Sequence, residues 1–293
     1  MNDEELTLTL GTDKLVVTID RPAGEERGTV LIVPPFGMSA ERLFSTAYLM
    51  TLNGLRVYRF DPRNHPGRST GSIEAFRLSE LAIDTAAVLD LCPGAVVLGI
   101  SLSSRAVMRA LAGRDDWRAV VLITPVVDLQ YTLREVMGVD LVRIVRSGEE
   151  FPDRNLVLGY EVDKVFVNDS IEHDLVEPAD TVADLLRCRR PIVFIAGTDD
   201  PWVNMEDVRK VASQAARGGR SVEVIAIQAA THQLYRNPVL ATAYFNCAVR
   251  QCLRATGADP DKIVEPSFAQ IIAAAEAQRM DLADRANLEM YDG

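Results

Sequence analysis

Apolar and polar residues alternate from residue 5 to 20, with Gly11-Thr12-Asp13 between the two halves, which predicts a β-hairpin. Thr29–Val33 (TVLIV) is apolar throughout and rich in β-branched side chains, the pattern of a strand buried on both faces. Within Ala40–Leu52 the residues Leu43, Ala47, Leu49 and Met50 have helical spacing, and Asn53-Gly54 stops the helix. Further strands are predicted over Leu55–Phe60, Ala95–Ile100, Pro191–Ala196 and Val222–Ile227, and within Trp117–Thr124. Between them, helical patterns cover Leu78–Leu91, Leu102–Leu111, Glu206–Ala216 and about Pro238–Ala255. Strand and helix in this alternation predict an α/β protein: a mostly parallel sheet with helices on both faces.

The rhythm breaks between Pro125 and Arg187. About sixty residues of mixed charge, short apolar clusters and weak helical patterns separate two strands of the expected sheet. An insert of that size is expected to be a cap rather than a loop. The expected organisation is therefore a core of residues 1–124 and 188–293 with a cap insertion over 125–187. After Glu265-Pro266 the tail reads as a long Ala-rich helix.

Composition narrows the function. The chain has 293 residues and a net charge of −11, which argues against a nucleic-acid binder or an anionic-membrane binder. The N-terminal stretch is acidic without an apolar signal core, and no apolar run approaches 18 residues, so a cytoplasmic protein is expected. Cys92, Cys188, Cys247 and Cys252 form no CxxC pair and have no His at ligand spacing; neither a metal nor another cofactor is expected. Any imidazole chemistry must use His65, His173 or His232.

Leu98-Gly99-Ile100-Ser101-Leu102-Ser103-Ser104 lies between a predicted buried strand and a predicted helix, where an α/β-hydrolase places its nucleophile elbow. The elbow needs small residues two before and two after the Ser. Gly99 meets that demand, and Ser103 meets it less well than the usual Gly. Downstream, Gly197-Thr198-Asp199-Asp200-Pro201-Trp202-Val203 follows the strand after the insert, and Thr231-His232 follows the last strand. Ser101, Asp200 and His232 thus stand in the order of this fold, each at the C-terminal end of a strand. Pro201 blurs whether Asp199 or Asp200 holds the imidazole; the G-x-x-D-x-x-V spacing favours Asp200. For the oxyanion, Pro34 and Pro35 have no N–H, so Phe36 or Gly37 must donate, with Leu102 as second donor. His65, in the loop Asp61–Ser69, reads as structural, and His173 as a solvated residue of the insert.

On these residues the chain resembles a particular family, the LuxD-type acyl transferases of bacterial bioluminescence, thioesterases that release fatty acid from acyl carrier protein. The resemblance rests on Arg59-Phe60-Asp61 with His65, Gly67 and Gly71-Ser72-Ile73; on Ser101-Leu102-Ser103 with Arg105; and on Leu129 with Thr132-Leu133. Asp200 with Trp202-Val203, His232 and Glu265-Pro266 extend it over nearly the whole chain. It departs at Pro201, at Gln233 where the family tends to have Asp, and at Pro34-Pro35. The resemblance implies the α/β-hydrolase fold, an acyl-enzyme on Ser101, and an acyl carrier protein or other acyl thioester as substrate, with the insert shaping the acyl pocket. Because carrier proteins are acidic and this chain is too, a basic docking patch is expected from Arg42, Arg63, Arg68 and Arg105, although Arg105 could instead brace the elbow. The rival readings are a small-ester carboxylesterase or lipase with the same triad, and a non-catalytic binding protein on this fold. A Rossmann-like nucleotide site is disfavoured, for Gly99-Ile100-Ser101 offers no G-x-G-x-x-G.

Overall fold

The computed structural model describes residues 2–153, 155–233 and 237–266, with isolated positions between 270 and 276. In chain order the elements are β1 (Asn2–Leu10), β2 (Asp13–Arg21), β3 (Gly28–Val33), α1 (Phe44–Leu52), β4 (Leu55–Asp61), α2 (Leu78–Leu89), β5 (Val96–Ile100) and α3 (Ser103–Leu111). There follow β6 (Ala119–Ile123), α4 (Leu129–Met137), α5 (Leu141–Ser147), β7 (Leu156–Val157), β8 (Tyr160–Glu161), α6 (Lys164–Glu172) and α7 (Pro178–Arg187). The chain returns to the sheet with β9 (Ile192–Gly197), α8 (Met205–Arg217), β10 (Val222–Ile227) and α9 (Pro238–Thr256). The Ala-rich helix expected after Pro266 falls for the most part outside the described residues.

Eight strands form one sheet in the order β1-β2-β4-β3-β5-β6-β9-β10. β1 and β2 form the expected hairpin, and β2 meets β4 antiparallel; from β4 to β10 every pairing is parallel. Alternate side chains of each inner strand enter opposite cores. Val30 and Ile32 face the layer holding α1 and α9, with Met50 and Val249, whereas Leu31 and Val33 face the layer of α2, α3, α7 and α8. That two-sided burial is why these strands read as continuous apolar runs, each large side chain contributing roughly 1.5–3 kcal/mol.

Strand order reverses between β3 and β5, so their C-terminal ends splay apart and leave a crevice. Pro35 and Phe36 leave one side of it and Ser101 the other.

Residues 125–187 are more regular than their sequence suggests. They hold four helices, and three of these start on an aspartate whose carboxylate accepts a backbone N–H: Asp128 from Tyr131, Asp140 from Arg143 and Asp163 from Phe166. Each such cap contributes about 1 kcal/mol, which compensates for short, weakly apolar helices. α7 opens with Pro178 in its first turn and Asp180 accepting the Glu177 N–H at 2.8 Å. Between α5 and α6, β7 and β8 pair through Leu156↔Glu161 and Val157↔Tyr160, joined by Leu158 and Gly159 alone.

Candidate active site

The turn from β5 to α3 is tight. Ser101 takes a φ of 58°, left-handed backbone that costs a side-chain-bearing residue of order 1–2 kcal/mol and must be held by its surroundings. Gly99 makes the turn possible: a Cβ there would lie 2.8 Å from Leu122 and 3.1 Å from Val107, so only glycine lets α3 approach β5 this closely. Ser103 adds something a glycine could not. Its fully buried hydroxyl accepts the Ile100 N–H (2.9 Å) and donates to the Ile100 carbonyl (2.8 Å), clamping the end of the strand.

Ser101 Oγ lies 2.7 Å from His232 Nε2, and His232 Nδ1 lies 2.9 Å from Asp200 Oδ2. An ionised carboxylate only accepts, so Nδ1 carries the ring proton and Nε2 is left to accept from the Ser101 hydroxyl. Asp200 is itself oriented, because its other oxygen accepts the N–H groups of Trp202 (2.9 Å) and Val203 (3.1 Å). Asp199 is exposed and bonded to Thr198, so the carboxylate that meets the imidazole is that of Asp200. The indole of Trp202 packs on the His232 ring at 4.7 Å, and its carbonyl accepts from Thr132 Oγ1 of α4 at 2.7 Å. The segment between β6 and β9 thus touches the loop that carries the acid.

Opposite Ser101, the N–H groups of Phe36 and Leu102 have no partner among the described residues. Gly37, the other donor its sequence allowed, is engaged: its N–H donates to His65 Nε2 at 2.9 Å. His65 therefore holds the turn after β3. Burial lowers its pKa to about 4, and as a neutral ring it can accept. The Asp61 loop is another brace. Asp61 accepts N–H bonds from Ala40 (2.7 Å) and Arg68 (3.0 Å), and sits so close over Gly67 that a Cβ there would lie 2.2 Å from its carboxyl carbon.

Two of the four arginines expected to form a docking patch, Arg105 and Arg63, are drawn into ion pairs inside the protein. Arg105 is wholly buried, with Nη2 donating to Asp184 (3.1 Å) and to the Asp174 carbonyl (3.1 Å), and Nε to the Leu175 carbonyl (3.3 Å). Burial holds its guanidinium below the ordinary value despite the pull of Asp184. Arg109, one turn on, also binds Asp184 (2.9 Å) and the His173 carbonyl (2.5 Å), so α3 is tied to α7 and to the loop before it. Helical spacing explains the correction, for residues 105 and 109 share the inward face of α3. Arg63 is committed to the buried Asp84 (2.7 Å) and to Asp13 (3.2 Å). Arg68 is exposed but reaches Glu5 of β1 (2.5 Å), toward the hairpin edge of the sheet. Among the described residues Arg42 remains exposed without an ion pair. His173 is also exposed, at the end of α6, with Nδ1 2.9 Å from the Asp169 carbonyl.

Ser101 and His232 open onto a cavity of about 370 Å³, within the usual range for small-molecule sites. Its wall comes from the turn after β3 (Phe36, Met38), from α4 (Leu129, Leu133, Val136), from the β7–β8 hairpin (Val157, Leu158) and from Phe166 of α6. The polar side chains of its lining are few: Ser101, His232, Gln233, Thr124 and Thr132. Sequence reasoning missed Phe166, Val157 and Leu158; the one available signal was the short apolar run Leu156-Val157-Leu158 before Gly159.

This strand order, with a strained serine between β5 and α3 and a histidine after the last strand, defines the α/β-hydrolase fold. Among solved structures, Est1E from Butyrivibrio proteoclasticus with ferulic acid bound superposes with a TM-score of 0.67, covering 85% of this chain and 96% of that one at 17% identity. Within the fold the chain belongs to the acyl transferase family, whose profile matches residues 17–284. Curated acyl transferases are similar along their length: one from Photorhabdus luminescens is 24% identical over 267 residues, 88% of this chain and 86% of its own. Another, from Aliivibrio fischeri, is 26% identical over 263 residues, 87% of this chain and 84% of its own. The protein is an enzyme of the acyl transferase and α/β-hydrolase class.

Proposed function

We propose that the protein is a serine acyl transferase or thioester hydrolase that takes fatty acyl groups from an acyl carrier protein or a comparable acyl thioester. The observation that carries this reading is the hydrogen-bonded chain Asp200–His232–Ser101 opening onto a mostly apolar cavity. Ser101 Oγ attacks the thioester carbonyl as His232 Nε2 takes its proton, and Asp200 holds the imidazole in the required tautomer. The oxyanion forms against the N–H groups of Phe36 and Leu102, which have no partner among the described residues. His232 returns the proton to the departing thiolate, leaving an acyl-enzyme. Water or an acceptor alcohol then attacks, again through His232, and releases acid or ester. The apolar wall holds the acyl chain, and residues 125–187, which supply much of it, act as the cap.

A panel of acyl-carrier-protein thioesters and free esters of graded chain length tests the reading, with Ser101→Ala as control. The expected result is a preference for carrier thioesters with medium or long chains, and a loss on the order of 10⁴-fold in Ser101→Ala. Efficient turnover of small free esters with no gain from a carrier would instead make it a carboxylesterase. Undiminished turnover in Ser101→Ala would refute both.

A further inference from the structure

The β7–β8 hairpin carries an unfavourable residue at its tip. With Val157 paired to Tyr160, its loop is only Leu158-Gly159, and both residues have positive φ, 52° and 87°. A two-residue turn of this kind favours Asn-Gly or Asp-Gly, because Asn and Asp tolerate left-handed backbone and leucine does not. Leucine gains little from packing to offset this, since it is 62% exposed. It nevertheless contributes to the wall of the acyl cavity, next to Val157. A strained, exposed apolar side chain at the rim of an apolar cavity has a use only when something apolar reaches it.

The hairpin is also seated where it can serve the site. The Tyr160 ring packs edge-on to Phe36 at 6.0 Å and lies where a Cβ on Gly37 would meet it at 2.6 Å. Val162 N–H donates to the Asn155 carbonyl at 2.7 Å and closes the base. The tip is thereby fixed relative to the turn that faces Ser101.

We propose that Leu158 is a specificity-determining residue: it grips the part of an acyl chain long enough to reach the cavity rim, and folding stability is given up to keep leucine there. This rests on the cavity being the acyl site of the proposed function. Leu158→Asn creates the favoured Asn-Gly turn and removes the apolar contact, so stability and selectivity should move in opposite directions. The melting temperature should rise by roughly 1–3 °C. The ratio of kcat/KM for p-nitrophenyl dodecanoate to that for p-nitrophenyl butanoate should fall about tenfold, the worth of one to two buried methylene groups. Leu158→Met, apolar like leucine, should restore the ratio. Affinity for dodecanoate, measured by displacement of a fluorescent fatty acid in the Ser101→Ala background, should fall by a similar factor in Leu158→Asn. An unchanged ratio, an equal loss on both esters, or a lowered melting temperature would each overturn the proposal. If no ester is turned over through Ser101 but Leu158→Asn still weakens dodecanoate binding, the catalytic reading falls and the rim contact stands.

Discussion

Replacing Ser103 by alanine separates the elbow's stability from its chemistry. The Ser103 hydroxyl is fully buried, and it accepts the Ile100 N–H at the last residue of β5. Alanine keeps the small volume but removes that acceptor, leaving the Ile100 N–H only the Val33 carbonyl across the β3–β5 ladder. Losing one buried hydrogen bond costs about 0.5–1.5 kcal/mol, and taking about 1 kcal/mol at roughly 2–4 °C per kcal/mol gives a fall in Tm of roughly 2–4 °C. Ser103→Gly should fall further, by about 0.5–1 kcal/mol, because a glycine opening α3 has more chain entropy to lose. Chemistry should suffer less, since Ser101, His232 and Asp200 keep their partners. Thermal melts measure the stability arm, and, with Ser101 as the proposed nucleophile, the burst amplitude with an activated ester measures the chemistry at 25 °C. A Tm within about 1 °C of wild type in Ser103→Ala would refute the clamp. Loss of the burst at unchanged Tm would mean that Ser103, not Ser101, takes part in acylation.

Two further expectations follow from the site. Asp200→Asn should lower kcat by about 10⁴-fold by leaving His232 in the wrong tautomer, whereas Asp199→Asn should stay within about threefold; equal losses in steady-state kinetics would contradict the geometry around Pro201. His65 is buried and neutral with a pKa near 4, against about 6.5 when unfolded, so the unfolded chain binds the extra proton between those values and stability rises with pH across that window. On the order of 3 kcal/mol is present above pH 6.5 and lost as the pH falls to about 4. His65→Gln, which can accept from Gly37 without titrating, should flatten that part of the curve; urea unfolding at pH 4.5 and 7.5 reads the difference.

What the sequence makes legible here depends on locality. Strands β3, β5, β6 and β9 announce themselves because burial on both faces leaves no room for polar residues. Ser101 and Asp200 could be placed because each follows such a strand, and His232 because it follows the last, half-buried strand β10; strand ends are where a parallel sheet offers side chains to a crevice. Arg105 was open to misreading for the opposite reason. Its surroundings come from residues 174–184, far along the chain, and no local pattern tells a buried guanidinium from a solvated one. The β7–β8 hairpin has only two residues per strand and a leucine where a turn residue belongs, so local preference points away from it. Ser103 was legible as small but not as a hydrogen-bonding clamp, since the Ile100 N–H it satisfies is exposed as a need only once the turn is built.

Arg105, Arg109 and Asp184 have a consequence for recombination between homologues. Helix α3, which follows Ser101, and the segment that lines the cavity are joined by one carboxylate serving two guanidiniums, one of them without any access to solvent. Grafting residues 125–187 from a relative whose partner at position 184 is not acidic would leave Arg105 buried beside no counter-charge, a penalty of about 3–5 kcal/mol. Crossover points for shuffling acyl selectivity in this family therefore belong outside the stretch from α3 to α7, so that 105, 109 and 184 are inherited together.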